Sequence, residues 1–136
     1  MITFDRGRSR FNFRTAAVAI RRGRVLLHHG PQDDFWALPG GRVELGESTD
    51  AALRREMREE LDCPIRIRRL LWTVENFFRY DGRAYHELST VYLVDLGRAA
   101  LPDEFTRRLD IRPGFLRRGL TALPASPEHI VHRDGP

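Results

Sequence analysis

The residues best suited to chemistry are three glutamates, Glu56, Glu59 and Glu60, packed into the run Arg55-Glu56-Met57-Arg58-Glu59-Glu60-Leu61-Asp62-Cys63. On a helix advancing about 100° per residue they share one arc, while Leu53, Met57 and Leu61 share a second and Arg54, Arg55 and Arg58 a third. The apolar arc suits a core, and the arginine arc suits solvent or a partner. The acidic arc works against the helix: like charges at this spacing cost about 0.2–0.5 kcal/mol per pair, and glutamates in a last turn oppose the helix dipole by about 0.3–1 kcal/mol. A local conflict of this kind marks a site. A hard divalent cation, Mg²⁺ or Mn²⁺, is the simplest missing component, because it takes oxygen ligands and this spacing puts three carboxylates within reach of one ion cluster. Spacing alone fits a solvated acidic face about as well.

The helix that would carry these glutamates should begin at Ser48 or Thr49, either able to cap, with Asp50 in the first turn. It must stop by Asp62, because Pro64 forbids continuation. Phe35-Trp36-Ala37-Leu38 forms a short strand that delivers the double glycine Gly40-Gly41. Farther upstream, Phe11 to Ile20 and Val25 to His29, separated by Arg21-Arg22-Gly23-Arg24, predict a hairpin, and residues 1–10 a loose start. His28 and His29 are adjacent on that strand and point to opposite faces, a poor arrangement for shared ligation. Downstream, Ile65 to Val74 is a long strand, Tyr80-Asp81-Gly82-Arg83 a hairpin turn, and Leu88 to Leu96 the returning strand. Residues 97–112 carry little regular signal, and Pro113 opens a short terminal helix reaching Leu123. Strands around a central acidic helix predict one α/β layered domain over residues 1–136.

Composition narrows the partners. The net charge is +4, and all 23 basic residues are Arg with no Lys. Arginine suits phosphate recognition, but these residues are spread along the chain, which argues against a nucleic-acid surface. The single cysteine, Cys63, excludes an intramolecular disulfide and agrees with a reducing cytoplasm. The longest apolar stretch near the N-terminus, Ala16 to Ile20, is too short for a leader or a membrane span.

From Gly41 to Cys63 the chain resembles the Nudix box, G-x5-E-x7-R-E-U-x-E-E-x-G-U, where U is apolar. Gly41, Glu47, Arg55, Glu56, Met57, Glu59, Glu60 and Cys63 fall in register. Only Asp62 departs, standing where Gly is usual; Asp tolerates positive φ, so the departure touches stability and not chemistry. The preceding Trp36-Ala37-Leu38-Pro39-Gly40-Gly41 is also typical of the family.

The resemblance implies a Nudix-type α/β/α sandwich around a central mixed sheet, with the box as strand-loop-helix. It also implies a Mg²⁺- or Mn²⁺-dependent hydrolase that cleaves a phosphoanhydride bond in a nucleoside diphosphate linked to another group. A nucleoside triphosphate, a nucleotide sugar and a dinucleoside polyphosphate all qualify as small-molecule substrates. Carried over by position, Glu56, Glu59, Glu60 and the Gly40 carbonyl are the metal ligands, and Arg55 pairs with Glu47 to brace loop against helix. Arg42 and Glu44 are variable, exposed loop positions. The general base rests between Glu59 and Glu87, and a one-residue slip of the Glu87 strand would present His86 instead. Family members often carry more sequence than Asp103 to Arg112 before the terminal helix, and Glu104 is the only glutamate there. Phe11, Phe13, Phe77, Phe78, Tyr80 and Tyr85 are candidates to stack a base, although most strand aromatics are core. Oligomeric state is left open, a homodimer included. The competing reading is a Nudix-fold module that senses a nucleotide without cleaving it; the complete set of box carboxylates favours catalysis.

Overall fold

The computed structural model describes residues 1–28, 36–97, 105–106, 111–113 and 115–134. In chain order the elements are β1 (Thr3–Arg6), β2 (Ser9–Val18), β3 (Ile20–Arg21), β4 (Arg24–Leu26), β5 (Trp36–Ala37), β6 (Gly40–Arg42), α1 (Thr49–Leu61), β7 (Arg66–Tyr80), β8 (Arg83–Asp95), β9 (Phe105–Thr106), β10 (Ile111–Arg112), α2 (Leu116–Gly119) and β11 (Glu128–Arg133).

The longest pairing is β7 with β8, as expected for runs rich in β-branched and aromatic residues. Asp81 and Gly82 join them with φ of 51° and 74°, the double positive φ of a two-residue type I′ turn, whose twist matches the strands it connects. The main sheet runs β1-β2-β8-β7-β11, and β6 pairs with β2 beyond the end of β1. Pairings β2–β8 and β7–β11 are parallel and the others antiparallel, so the sheet is mixed. Two small ribbons, β3-β4-β9 and β5-β10, flank it.

Alternation along the strands divides the core. On one face Leu53 and Met57 of α1 pack with Ala17, Ala19, Val94 and Leu96. On the other, Val18, Leu71, Trp72, Val74 and Val91 pack with Leu116 of α2. The result is the expected α/β/α sandwich with one thin outer layer.

Helix α1 begins where the sequence placed it. The Ser48 hydroxyl accepts from the Ala51 amide at 3.4 Å, and the Thr49 hydroxyl lies 2.6 Å from that of Tyr92 on β8. At the other end Asp62 is left-handed, with φ 47°; its amide bonds the Arg58 carbonyl and the Cys63 amide bonds that of Met57. This is the closing pattern usually built on Gly.

Three expectations change. Residues 1–10 are not a loose start, since β1 pairs with β2 from Thr3↔Asn12 to Arg6↔Ser9. The terminal helix is confined to Leu116–Gly119, and strand β11, which local pattern did not reveal, follows it. The upstream hairpin is limited to β3 and β4, because β2 is occupied by β1, β6 and β8. His29 and Glu104 lie outside the described residues.

Replacing Asp62 with Gly removes a side chain held at positive φ. It should raise stability by about 0.5–1 kcal/mol, the strain relieved exceeding the added freedom of the unfolded chain. Denaturant unfolding checks this, and a lower midpoint for the variant would contradict it.

Candidate active site

The loop between β6 and α1 is held by one carboxylate. Glu47 Oε1 accepts from the Glu44 amide at 3.1 Å and from Arg55 Nη2 at 2.9 Å, while Oε2 accepts from Arg55 Nε at 2.8 Å. The fork of Arg55 matches a carboxylate in this bidentate way. Its hydrogen bonds hold the Glu47 carboxyl below the usual range, an effect that burial opposes; the Arg55 guanidinium is shifted upward, first by Glu47. The same guanidinium donates to the Arg42 carbonyl at 3.1 Å, to Glu56 at 2.9 Å and to Glu59 at 3.2 Å.

The glutamates differ in surroundings. The Glu56 side chain is only 14% exposed and rests on Gly41, where a Cβ would come within 2.3 Å of its carboxyl carbon. A side chain at that position would displace the Glu56 carboxyl from where it rests. Glu59 is 60% exposed and ion-paired to Arg55. Glu60 is exposed overall, yet burial of its carboxyl, followed by the nearby Glu56, pushes its pKa up, with His28 and Arg14 opposing. The two carboxylates are thus near enough to influence each other, and hard oxygen donors of this kind suit a divalent cation. Among the described residues no three such side chains already converge on one point. Gly40 sits at the same edge, paired with Ala16, and a Cβ there would meet the Thr15 carbonyl at 2.1 Å.

Arg14 did not stand out in the sequence as a site residue, and His28 was weighed there as a ligand and set aside. Tertiary pairing brings them to Glu60: Arg14 is the register partner of Arg42, next to Gly41, and His28 bridges to Ala37 just before the double glycine. Arg42 is not the exposed loop residue expected: it ends β6, paired with Arg14, and is half-buried, whereas Glu44 lies in the loop and pairs with the N-terminal amine.

Glu87 lies on the Arg14 face of the sheet. Register partners Thr3, Asn12, Glu87, Asn76 and His132 form one row across five strands. Within it Thr3 Oγ1 donates to Asn12 Oδ1 at 2.7 Å, and Asn12 Nδ2 donates to Glu87 at 2.8 Å. Asn76 is buried with its Oδ1 unpartnered, a condition that costs about 1–3 kcal/mol. His86 faces the other way, stacked on Phe77 at 4.4 Å and edge-on to Phe11 at 5.3 Å. Of the six aromatics considered for stacking, Phe78 and Tyr85 share the Glu87 face, whereas Phe11, Phe13 and Phe77 share that of His86.

An acidic helix cradled by a glycine loop and braced by an Arg–Glu fork agrees with the match of residues 11–110 to the NUDIX domain family. The chain belongs to that family. It is similar to the putative mutator protein MutT4 of Mycobacterium tuberculosis, 33% identical over 62% of this chain and 30% of that protein. It is likewise similar to the nucleoside triphosphatase NudI of Escherichia coli, 42% identical over 43% of this chain and 45% of that one. The matched segments therefore span less than half the length of these relatives. In fold it resembles the crystal structure of a UDP-X diphosphatase, with TM-score 0.63, 19% identity, and coverage of 88% of this chain and 66% of that one. An ADP-ribose pyrophosphatase from Streptococcus suis gives TM-score 0.63 at 13% identity, covering 89% and 98% of the two chains. Among the described residues no helix is long and apolar enough to cross a membrane.

Removing Arg55 leaves Glu47 and Glu56 mostly shielded from water without a counter-charge. Arg55→Ala should cost about 1–3 kcal/mol, between the values for exposed and buried pairs. The pH dependence has a definite sign. Because the Glu47 pKa is lowered in the folded state, the pair's contribution is full above the ordinary glutamate value and is lost as pH falls through the lowered one. The stability gap between wild type and variant should therefore narrow on acidification, as followed by denaturant melts across pH. A gap that widened toward acid would contradict this account.

Proposed function

We propose that this chain is a Mg²⁺- or Mn²⁺-dependent Nudix pyrophosphohydrolase that cleaves a phosphoanhydride bond in a nucleoside diphosphate linked to another group. The observation that carries this reading is the pairing of Glu56 and Glu60 beside Gly41, with Arg14 and His28 close by. Family membership supports hydrolysis of such bonds, and similarity to NudI puts nucleoside triphosphates first among substrates, ahead of nucleotide sugars and dinucleoside polyphosphates. A single buried thiol, Cys63, suits a reducing compartment such as the cytoplasm.

In this reading Glu56, Glu60 and the Gly40 carbonyl hold the cation, with Glu59 able to join them. The bound cation would position and acidify water and offset phosphoryl charge. Glu59, exposed and released from Arg55, accepts the proton of the attacking water. Arg14 faces the anionic phosphate, and Arg55 keeps loop and helix in register. Glu87, held by Asn12, is the alternative proton acceptor.

The test is incubation with a panel of nucleoside triphosphates, nucleotide sugars and dinucleoside polyphosphates plus Mg²⁺ or Mn²⁺, following release of phosphate, pyrophosphate or nucleoside monophosphate. Turnover of at least one class is expected. Glu59→Gln should lower it by about 10²–10⁴-fold while the fold persists, because Glu59 lies off the Leu53–Met57 core. Metal-dependent nucleotide binding without turnover across the panel would contradict the reading and point to a sensor. Wild-type turnover in Glu59→Gln would remove that residue from the machinery.

A further inference from the structure

We infer that the sheet face opposite Glu87, beyond the start of α1, binds single-stranded nucleic acid. This surface is separate from the glutamates of α1, and its role does not rest on the hydrolase reading. Strand register sets Phe4, Phe11, His86, Phe77 and Arg133 side by side across five strands. Successive ring centroids lie 5.2, 5.3 and 4.4 Å apart, and the Arg133 guanidinium covers the Phe77 ring at 4.0 Å. Helix α1 begins well away from this row: its first residue, Thr49, bonds Tyr92, which is six residues from His86 along β8 and therefore about 20 Å away. His86 and Arg133 are exposed, and Phe4 keeps 59% of its surface in water.

Charge selects the partner of this open aromatic row. Farther still from α1, the next row on the same face reads Arg6, Ser9, Ala84 and Arg79. Arg6 and Arg79 are exposed and, like Arg133, stand outside every ion pair of the described residues. The small residues Ser9 and Ala84 leave a shallow trough between them. Carboxylates avoid this side: Asp5 turns to the other face, toward Arg10 and Arg83, and Glu75 is held by His129 at 2.7 Å. Arginines scattered through the sequence are thus gathered by strand pairing around a run of rings. Phosphate takes the guanidinium fork, and bases stack on aromatic rings and guanidinium planes. A sheet with aromatics on its open face holds two or three bases in this way. A second copy of the chain fits this face less well, because it would bring three more uncompensated arginines against these three. Phosphates and base faces are the groups recognised, so DNA and RNA should bind alike.

Fluorescence anisotropy of labelled oligo(dT) and oligo(U), titrated with the full chain in EDTA, tests this without turnover. Both should bind saturably and more tightly than a duplex of the same length. Raising salt from about 50 to about 200 mM should weaken binding about 20-fold, as three phosphate contacts to a single strand require. Arg79→Ala and Phe4→Ala should each weaken it about fivefold or more, with thermal unfolding recorded in parallel. Arg66→Ala, at the far end of β7, removes the same charge from elsewhere and should leave the affinity nearly unchanged. If Phe4→Ala does not fold, the contrast between Arg79→Ala and Arg66→Ala decides. Failure of both oligonucleotides to bind overturns the inference, as does equal loss in Arg79→Ala and Arg66→Ala, which would reduce the effect to overall basicity. Duplex bound as tightly as single strand, or an oligonucleotide displaced by a nucleoside triphosphate, also overturns it. Each of these results leaves the hydrolase reading intact, and a chain that binds oligonucleotides in this way without cleaving any nucleotide overturns that reading alone.

Discussion

The guanidinium of Arg55 is the interaction on which the acidic helix depends. It donates to Glu47 twice, to Glu56, to Glu59 and to the Arg42 carbonyl. One fixed positive charge therefore offsets three carboxylates that would otherwise repel each other on a partly dehydrated surface. It also joins three pieces of chain, the end of β6, the loop and the second half of α1, so the geometry of the loop and the charge balance of the helix are set together. A lysine would supply the charge without the planar fork.

Steric constraints complete the cradle. Gly41 leaves the space that the Glu56 carboxyl fills, and Gly40 lets the chain run against the Thr15 carbonyl. With Glu56 confined from one side and Glu60 close to it on the next turn, like charges are brought together by packing and not by attraction. The α1 core residues Leu53 and Met57 supply the hydrophobic energy that sustains this arrangement. The opposite sheet face shows the same logic: Trp72, Val74 and Val91 form an apolar core, and two residues farther along the strands it gives way to the row holding Asn76 and Glu87.

How much of this could be read from sequence depended on how local the determinant was. The limits of α1, the left-handed Asp62 and the Asp81-Gly82 turn are set by neighbours within a few residues, and each stands where the pattern placed it. The Glu47–Arg55 pair was also legible, because its members are eight residues apart within one motif. Strand β11 was not: Glu128–Arg133 is short, and it is fixed by parallel pairing with β7, more than fifty residues away in the chain. Strand β1 was hidden by its polar composition, although Thr3 and Asn12 bond across it. Arg14 and His28 reach Glu60 only through strand pairing that no local spacing encodes, and the buried row that links Asn12 to Asn76 has the same origin.

The central claim is that Glu56 and Glu60, held in place by Gly41 and Arg55, make a divalent-cation site. Calorimetric titration of Mn²⁺ into the wild-type chain and into Glu56→Gln addresses it most directly, because it requires no substrate. The account predicts saturable binding to the wild type and an affinity at least about tenfold weaker in the variant, as expected when a charged oxygen donor is lost. Equal Mn²⁺ affinity in the two proteins, with both folded, would contradict it.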